Sequence, residues 1–136
     1  MAFKLGKVSI ETFEFNATPM KAYSSPGLLP ILEAGTPSLA GATRYVAIPQ
    51  GARVEVVLLD YRTEVYQNVE VLPAPNIPLE TDDKPLRYEK DMAIYGQDAY
   101  FPATPVLVSE PMQIRGVDVV IMNVTPFQYN PMTKEL

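Results

Sequence analysis

The chain contains no cysteine and no histidine. It therefore has no means of forming a disulfide, a Cys-His or Ser-His catalytic pair, or a thiolate or imidazole metal site. Most routes to an enzyme are closed, and no cofactor or metal is implied. Long apolar runs are missing too, since none approaches the roughly 20 residues that a membrane-spanning helix needs. Positive charge is scarce: 11 Lys and Arg stand against 16 Asp and Glu, a net charge of −5. That is the wrong sign for a phosphate-binding surface, so neither nucleic acid nor anionic membrane is an expected partner. Helical patterning is poor. The nearest approach to an i, i+3, i+4, i+7 apolar stripe is residues 28–34, which Pro30 interrupts. There are no internal repeats and no low-complexity tract.

What is present is punctuation. Fourteen Pro and seven Gly are spread over 136 residues, a spacing that suits short strands joined by turns, because proline ends helices. A hydrophobic content of 47% supports a folded core at this length without staples. Residues 7–15, Lys-Val-Ser-Ile-Glu-Thr-Phe-Glu-Phe, alternate polar and apolar with one slip between Ile10 and Phe13, which predicts a half-buried strand with a bulge. Residues 43–48 and 54–61 predict two strands joined by a hairpin turn at Pro49-Gln50-Gly51. Residues 64–72 predict another, stopped by Pro73-Ala74-Pro75. Val117-Asp118-Val119-Val120-Ile121-Met122-Asn123-Val124, β-branched and apolar on both faces in its middle, reads as the central core strand. The class is all-β: a two-sheet antiparallel β-sandwich of immunoglobulin-like or jelly-roll-like character, with about 6–8 strands in one domain over residues 1–136.

Few residues carry chemistry. Glu80, Asp82 and Asp83 lie together, and paired acids do acid/base work or bind Ca2+. The spacing and glycine of an EF-hand are absent, which favours a solvated loop. Tyr95, Tyr100, Phe101, Phe127 and Tyr129 form an aromatic set that either plugs the end of a sandwich or makes an exposed platform, the first being preferred. Arg115, beside Gly116 at a strand entrance, either pairs with a carboxylate such as Asp118 or Glu110 as a structural anchor or reaches across to a partner domain, the first being preferred.

Three motifs in order, Tyr95-Gly96-Gln97-Asp98-Ala99-Tyr100-Phe101-Pro102, then Ile114-Arg115-Gly116, then Pro126-Phe127-Gln128-Tyr129-Asn130-Pro131-Met132-Thr133-Lys134-Glu135-Leu136, resemble the propeptide of gingipain-type (family C25) cysteine peptidases. A looser likeness runs through Gly35-Thr36-Pro37, Tyr45-Val46-Ala47-Ile48-Pro49 and Val69-Glu70-Val71-Leu72-Pro73, covering the chain from about Gly27 onward. The resemblance implies a β-sandwich that precedes a separate catalytic domain, so the chain itself is not the enzyme and its parent is a C25-like cysteine endopeptidase. It further implies an inhibitor and intramolecular chaperone, in a larger secreted bacterial precursor, whose partner is the cognate catalytic domain. Met1-Ala2-Phe3-Lys4-Leu5-Gly6-Lys7 has no apolar region of the signal-peptide kind, so an exported parent implies that Met1 marks an internal boundary. The alternative is a non-inhibitory adhesion or assembly module of a larger secreted protein.

In such precursors a prodomain loop offers a basic side chain to an acidic specificity pocket. Here the expected loop is residues 73–91, stiffened by Pro73, Pro75, Pro78 and Pro85. Its candidates are Lys84, Arg87 and Lys90; Pro85 makes the bond after Lys84 a tertiary amide unlike an ordinary scissile bond. At the other end, Glu135-Leu136 reads as the first step of a returning strand. The expectation is that Val117–Val124 lacks a hairpin partner on one side, filled by strand-mediated self-association or by the chain's own residues 8–15.

Overall fold

Asn16 and Ala17 both adopt positive φ, 48° and 61°, and so close a two-residue turn between β1 (Ser9–Phe15) and β2 (Thr18–Ser24). In the computed structural model, which describes residues 6–30 and 33–136, this hairpin is one of two antiparallel sheets. Its register runs unbroken from Ser9↔Ser24 to Phe15↔Thr18. The expected bulge is therefore absent. Nearly every side chain of β1 is exposed, so no core enforces alternation on it; the buried residues belong to β2, at Met20 and Tyr23.

The second sheet contains β3 (Leu29–Pro30), β4 (Ala40–Ala47), β5 (Val106–Val108), β6 (Met112–Ile114) and β7 (Val117–Val124), in the order β3-β4-β7-β5 with β6 also on β7. One helical turn, α1 (Met92–Tyr95), is capped by the Asp91 carboxylate, which accepts the Ala93 N–H at 2.9 Å. The all-β, two-sheet antiparallel class holds. So does the central place of β7, whose Val119 and Val120 are buried.

The expected gap beside β7 does not exist. β4 pairs along one side from Ala42↔Val124 to Ala47↔Val119, while β5 and β6 share the other. Residues 8–15 do not serve there, since β1 pairs with β2. The C-terminal turn closes on itself through the Asn130↔Glu135 bridge, and Leu136 exchanges backbone hydrogen bonds of 2.8 and 3.0 Å with Tyr66. With β7 flanked on both sides, the reason for expecting self-association through it is gone.

Two expected strands are also corrected. The turn at residues 49–51 forms, with Gly51 at φ +73° and the Ala52 N–H donating to the Pro49 carbonyl at 3.0 Å. Residues 54–61 then stay extended and exposed, Leu59 at 92%, and no backbone hydrogen bond joins 53–65 to any described residue. Their β-branched composition selects extended backbone but supplies no edge to pair with. Residues 64–72 form no continuous strand: Tyr66 and Val69 bond to the C-terminal turn, and the end of the segment bonds to two other neighbours. Lys21 N–H donates to the Glu70 carbonyl and Leu72 N–H to the Lys21 carbonyl on the β2 side, at 2.7 and 3.0 Å. Ser38 N–H reaches the Leu72 carbonyl at 2.8 Å on the other, after which Pro73 removes a donor. The expectations for Met1–Leu5, and for residues 31–32 within the 28–34 stripe, lie outside the described residues.

Between the sheets sits a cluster of Tyr23, Leu39, Ala40, Val69, Val71, Tyr95, Phe127 and Tyr129. Tyr95 and Tyr129 are buried because their hydroxyls have partners: they donate to the carbonyls of Val71 at 3.0 Å and Val69 at 2.8 Å. Burial pushes both phenols up, Tyr129 to about 12.

Gly35 joins the 69–74 segment to the chain before α1. Its N–H donates to the Ala74 carbonyl and its carbonyl accepts the Asp91 N–H, each at 3.0 Å. At φ +84° a Cβ there would stand 3.1 Å from the Asp91 N and the Glu89 carbonyl oxygen, whereas at Gly27, φ +82°, it would meet nothing within 4 Å. Replacing Gly27 by Ala is expected to cost about 1–2 kcal/mol from the left-handed backbone alone. Gly35→Ala is expected to cost more, because backbone must also move. Urea unfolding of the two variants checks this, and equal losses would contradict it.

Candidate functional site

The loop expected to carry function is less free than its prolines suggest. Ala74 and Asp91 are tied to Thr36 and Gly35, and the Asn76 N–H donates to the Arg87 carbonyl at 2.7 Å. Only residues 77–86 project. Within them the Asp82 N–H turns back to the Leu79 carbonyl at 2.8 Å, and the Lys84 ammonium lies 3.5 Å from the Asp82 carboxylate. Lys84 and Pro85 are thus exposed on the arm that returns from this turn, and Arg87 stands at the neck. Lys90 lies beyond it, with its ammonium 5.2 Å from the centre of the Tyr95 ring. The four candidates do not converge. Asp82 is engaged by Lys84, and Glu80 and Asp83 are exposed.

The aromatic set is structural, as preferred. Tyr95, Phe127 and Tyr129 are core, and Phe101 and Tyr129 exchange two backbone hydrogen bonds of 2.8 Å. Tyr100 stands partly exposed with its hydroxyl donating to Glu135 at 2.6 Å.

A second basic tip stands at Arg115, where the sequence favours a structural anchor over an outward reach. Ile114 pairs with Val117, leaving Arg115-Gly116 as a two-residue turn with φ +51° and +79°. This positive pair is the type I′ geometry that matches strand twist. The signal was there: two β-rich runs separated by two residues ending in Gly. Arg115 is exposed and has no ion-pair partner among the described residues. The anchor role expected for it falls, because the Asp118 carboxylate is taken by others. One oxygen accepts the Gly51 N–H at 2.9 Å and the other the Gln113 side-chain amide at 3.0 Å.

The Propeptide_C25 family model matches residues 2–136. The chain belongs to the C25 propeptide family. Among its relatives, Gingipain R1 of Porphyromonas gingivalis is 28% identical over 107 residues, 76% of this chain and 10% of that protein. Lys-gingipain of the same organism is 21% identical over 141 residues, 99% of this chain and 8% of that protein. The chain thus spans about a tenth or less of these relatives. A chain in the solved complex of P. gingivalis RgpB pro- and mature domains superposes with TM-score 0.88 at 22% identity, over 98% of this chain and 70% of that one. A structure describing the zymogenic latency of P. gingivalis gingipain K gives TM-score 0.75 at 20% identity, over 98% and 76%. These likenesses confirm the β-sandwich of a C25 propeptide.

Two carboxylates at this propeptide's edges lie below their usual range. Asp118 is held there first by the Gly51 N–H and then by Gln113, and Glu135 first by the Tyr100 hydroxyl and then by Gln67. Because both fold with lowered pKa, the stability they contribute is complete above their unfolded values of about 3.9 and 4.3 and is lost as pH falls through the folded values. In an NMR titration both are expected to protonate below the same residue types in the unfolded chain. An Asp118 midpoint at or above the unfolded value would contradict its two hydrogen bonds.

Proposed function

We propose that this C25 propeptide domain is the inhibitor and intramolecular chaperone of a secreted gingipain-like cysteine peptidase, docking on the catalytic domain and presenting a basic side chain to an acidic specificity pocket. The observation that carries the reading is Arg115, an exposed guanidinium on a two-residue turn with no ion-pair partner among the described residues. A pre-shaped anchor loses less entropy on docking than a flexible one. The projecting loop of residues 77–86 offers a second prong, Lys84 followed by Pro85, but its ammonium already has Asp82 as a partner. Arg87 and Lys90 support the loop rather than extend it: one closes its neck through its carbonyl and the other packs on Tyr95. The mature domain of the RgpB complex is the kind of partner intended. The exposed apolar run at residues 54–61 favours a second reading, an adhesion or assembly module of a larger secreted protein.

Titrating the chain against mature Gingipain R1 and Lys-gingipain separates the two. Inhibition of at least one is expected. Arg115→Ala is expected to raise the inhibition constant tenfold or more, since losing a docked charged anchor costs about 2–5 kcal/mol, while replacing Lys84 and Arg87 with Ala has the smaller effect. A larger loss from the loop variant moves the anchor to Lys84. No inhibition of either enzyme would leave the assembly reading.

A further inference from the structure

The hairpin that presents Arg115 is short on one side. β6 has three residues, all exposed, and pairs only with β7. A limb of that length attached by one edge is marginal by itself, and its tip lies beyond the core residues Val119 and Val120. Something must hold it. The contacts that reach it converge on one residue of β7, Asp118, which lies opposite Gln113 in the pairing. Its Oδ1 accepts the Gln113 side-chain amide across the two strands at 3.0 Å, its Oδ2 accepts the Gly51 N–H at 2.9 Å, and its backbone carbonyl accepts the Ile48 N–H at 2.9 Å. A single residue three positions from the tip thus clasps the β6 limb to the turn that follows β4.

We propose that Asp118 is a positioning residue for the docking side chain Arg115: its carboxylate joins the β6–β7 hairpin to the 49–51 turn and fixes the direction in which the guanidinium leaves the domain. This rests on the inhibitory reading above. It goes further by assigning the restraint to one carboxylate, and by making the 49–51 turn and the hairpin a single rigid edge. The carboxylate chemistry is required, because it alone offers two acceptor oxygens to two donors. An asparagine keeps one acceptor and sets its amide hydrogens against the other donor, and an alanine keeps none. The rest of the domain depends little on this clasp, since the buried cluster of Tyr23, Leu39, Val71 and Tyr129 lies elsewhere.

The experiment is a double-mutant cycle on inhibition of whichever mature enzyme, Gingipain R1 or Lys-gingipain, the wild-type chain inhibits, combined with amide exchange in the free chain. Asp118→Asn is expected to weaken inhibition about threefold to tenfold, one hydrogen bond to a charged group being lost, and Asp118→Ala more. Neither is expected to weaken it further in the Arg115→Ala background, because a positioning residue has no effect once its side chain is gone. In the free chain Asp118→Asn is expected to speed exchange of the Gly51 amide while the amides of Val119 and Val120 stay protected. Losses from Asp118 that persist undiminished without Arg115, or an unchanged inhibition constant in both Asp118 variants, overturn the proposal while the inhibitory reading stands. An Arg115→Ala chain that inhibits like wild type overturns the proposal and takes the anchor off this hairpin, while a wild-type chain that inhibits neither enzyme overturns the inhibitory reading itself. Should the Asp118 variants unfold, Gln113→Ala removes one arm of the clasp at an exposed position and is held to the same cycle.

Discussion

Everything in this fold meets at one short stretch of backbone, residues 69–74. Val69 donates its N–H to the Lys134 carbonyl and accepts the Tyr129 hydroxyl. Glu70 accepts Lys21, Val71 accepts the Tyr95 hydroxyl, and Leu72 serves both Lys21 and Ser38. Ala74 serves Thr36 and Gly35. Buried backbone groups without partners are costly, so a segment as dry as this one must be matched donor for acceptor. Its matching partners come from β2, from the chain before β4, from α1 and from the C-terminal turn. Pro73 fits because its missing N–H is one donor fewer to satisfy at the point where the chain passes from one neighbour to the other. Two tyrosines finish the arrangement: each brings a large ring to the apolar side and a hydroxyl to a carbonyl that no strand reaches.

That construction explains which parts of the fold were legible from the sequence. β7 was, because a β-branched run apolar on both faces has few alternatives to an interior strand. The overall class was, because frequent turn residues and the lack of any helical apolar stripe leave short strands as the remaining pattern. Residues 64–72 were misread as a strand, since apolar alternation cannot distinguish a ladder from a segment held by side-chain hydroxyls and a few isolated bridges. β2 was missed because Pro19 falls near its start and Lys21 in its middle, while the Asn16-Ala17 turn that creates it lacks the glycine that normally advertises such geometry. Residues 54–61 show the reverse failure. Their composition is as strand-like as that of β7, but pairing depends on which edge lies nearby, and that is a property of the whole fold.

The basic residues that could serve a candidate site were legible in the sequence as residue types, but their surroundings were not. Proline density drew attention to residues 73–91, yet both ends of that stretch are tied down, at Ala74 to Thr36 and Gly35 and at Asp91 to Gly35, and only the ten residues 77–86 project. Arg115 looked like an anchor because Asp118, three places on past Gly116 and Val117, is an acid. Asp118 instead faces Gly51, 67 residues away in sequence. No local reading of the chain contains that contact.

An anchor that must enter another protein's pocket has two opposing needs, exposure to reach the pocket and restraint to enter it without a large entropy loss. A free loop supplies the first at the expense of the second. A hairpin growing from an interior strand supplies both, because order is handed outward from the core along the ladder and weakens with each residue. In β7 that order begins at the buried Val119 and Val120 and has to survive an exposed Val117 before it reaches the turn. Asp118 occupies the last place on the strand where a side chain still finds fixed partners on two sides. Beyond it the backbone itself takes over: a two-residue turn with both φ positive is narrow and stiff. Rigidity therefore extends to the Arg115 backbone, and the flexible methylene stem that carries the guanidinium is left free to adapt to what it meets.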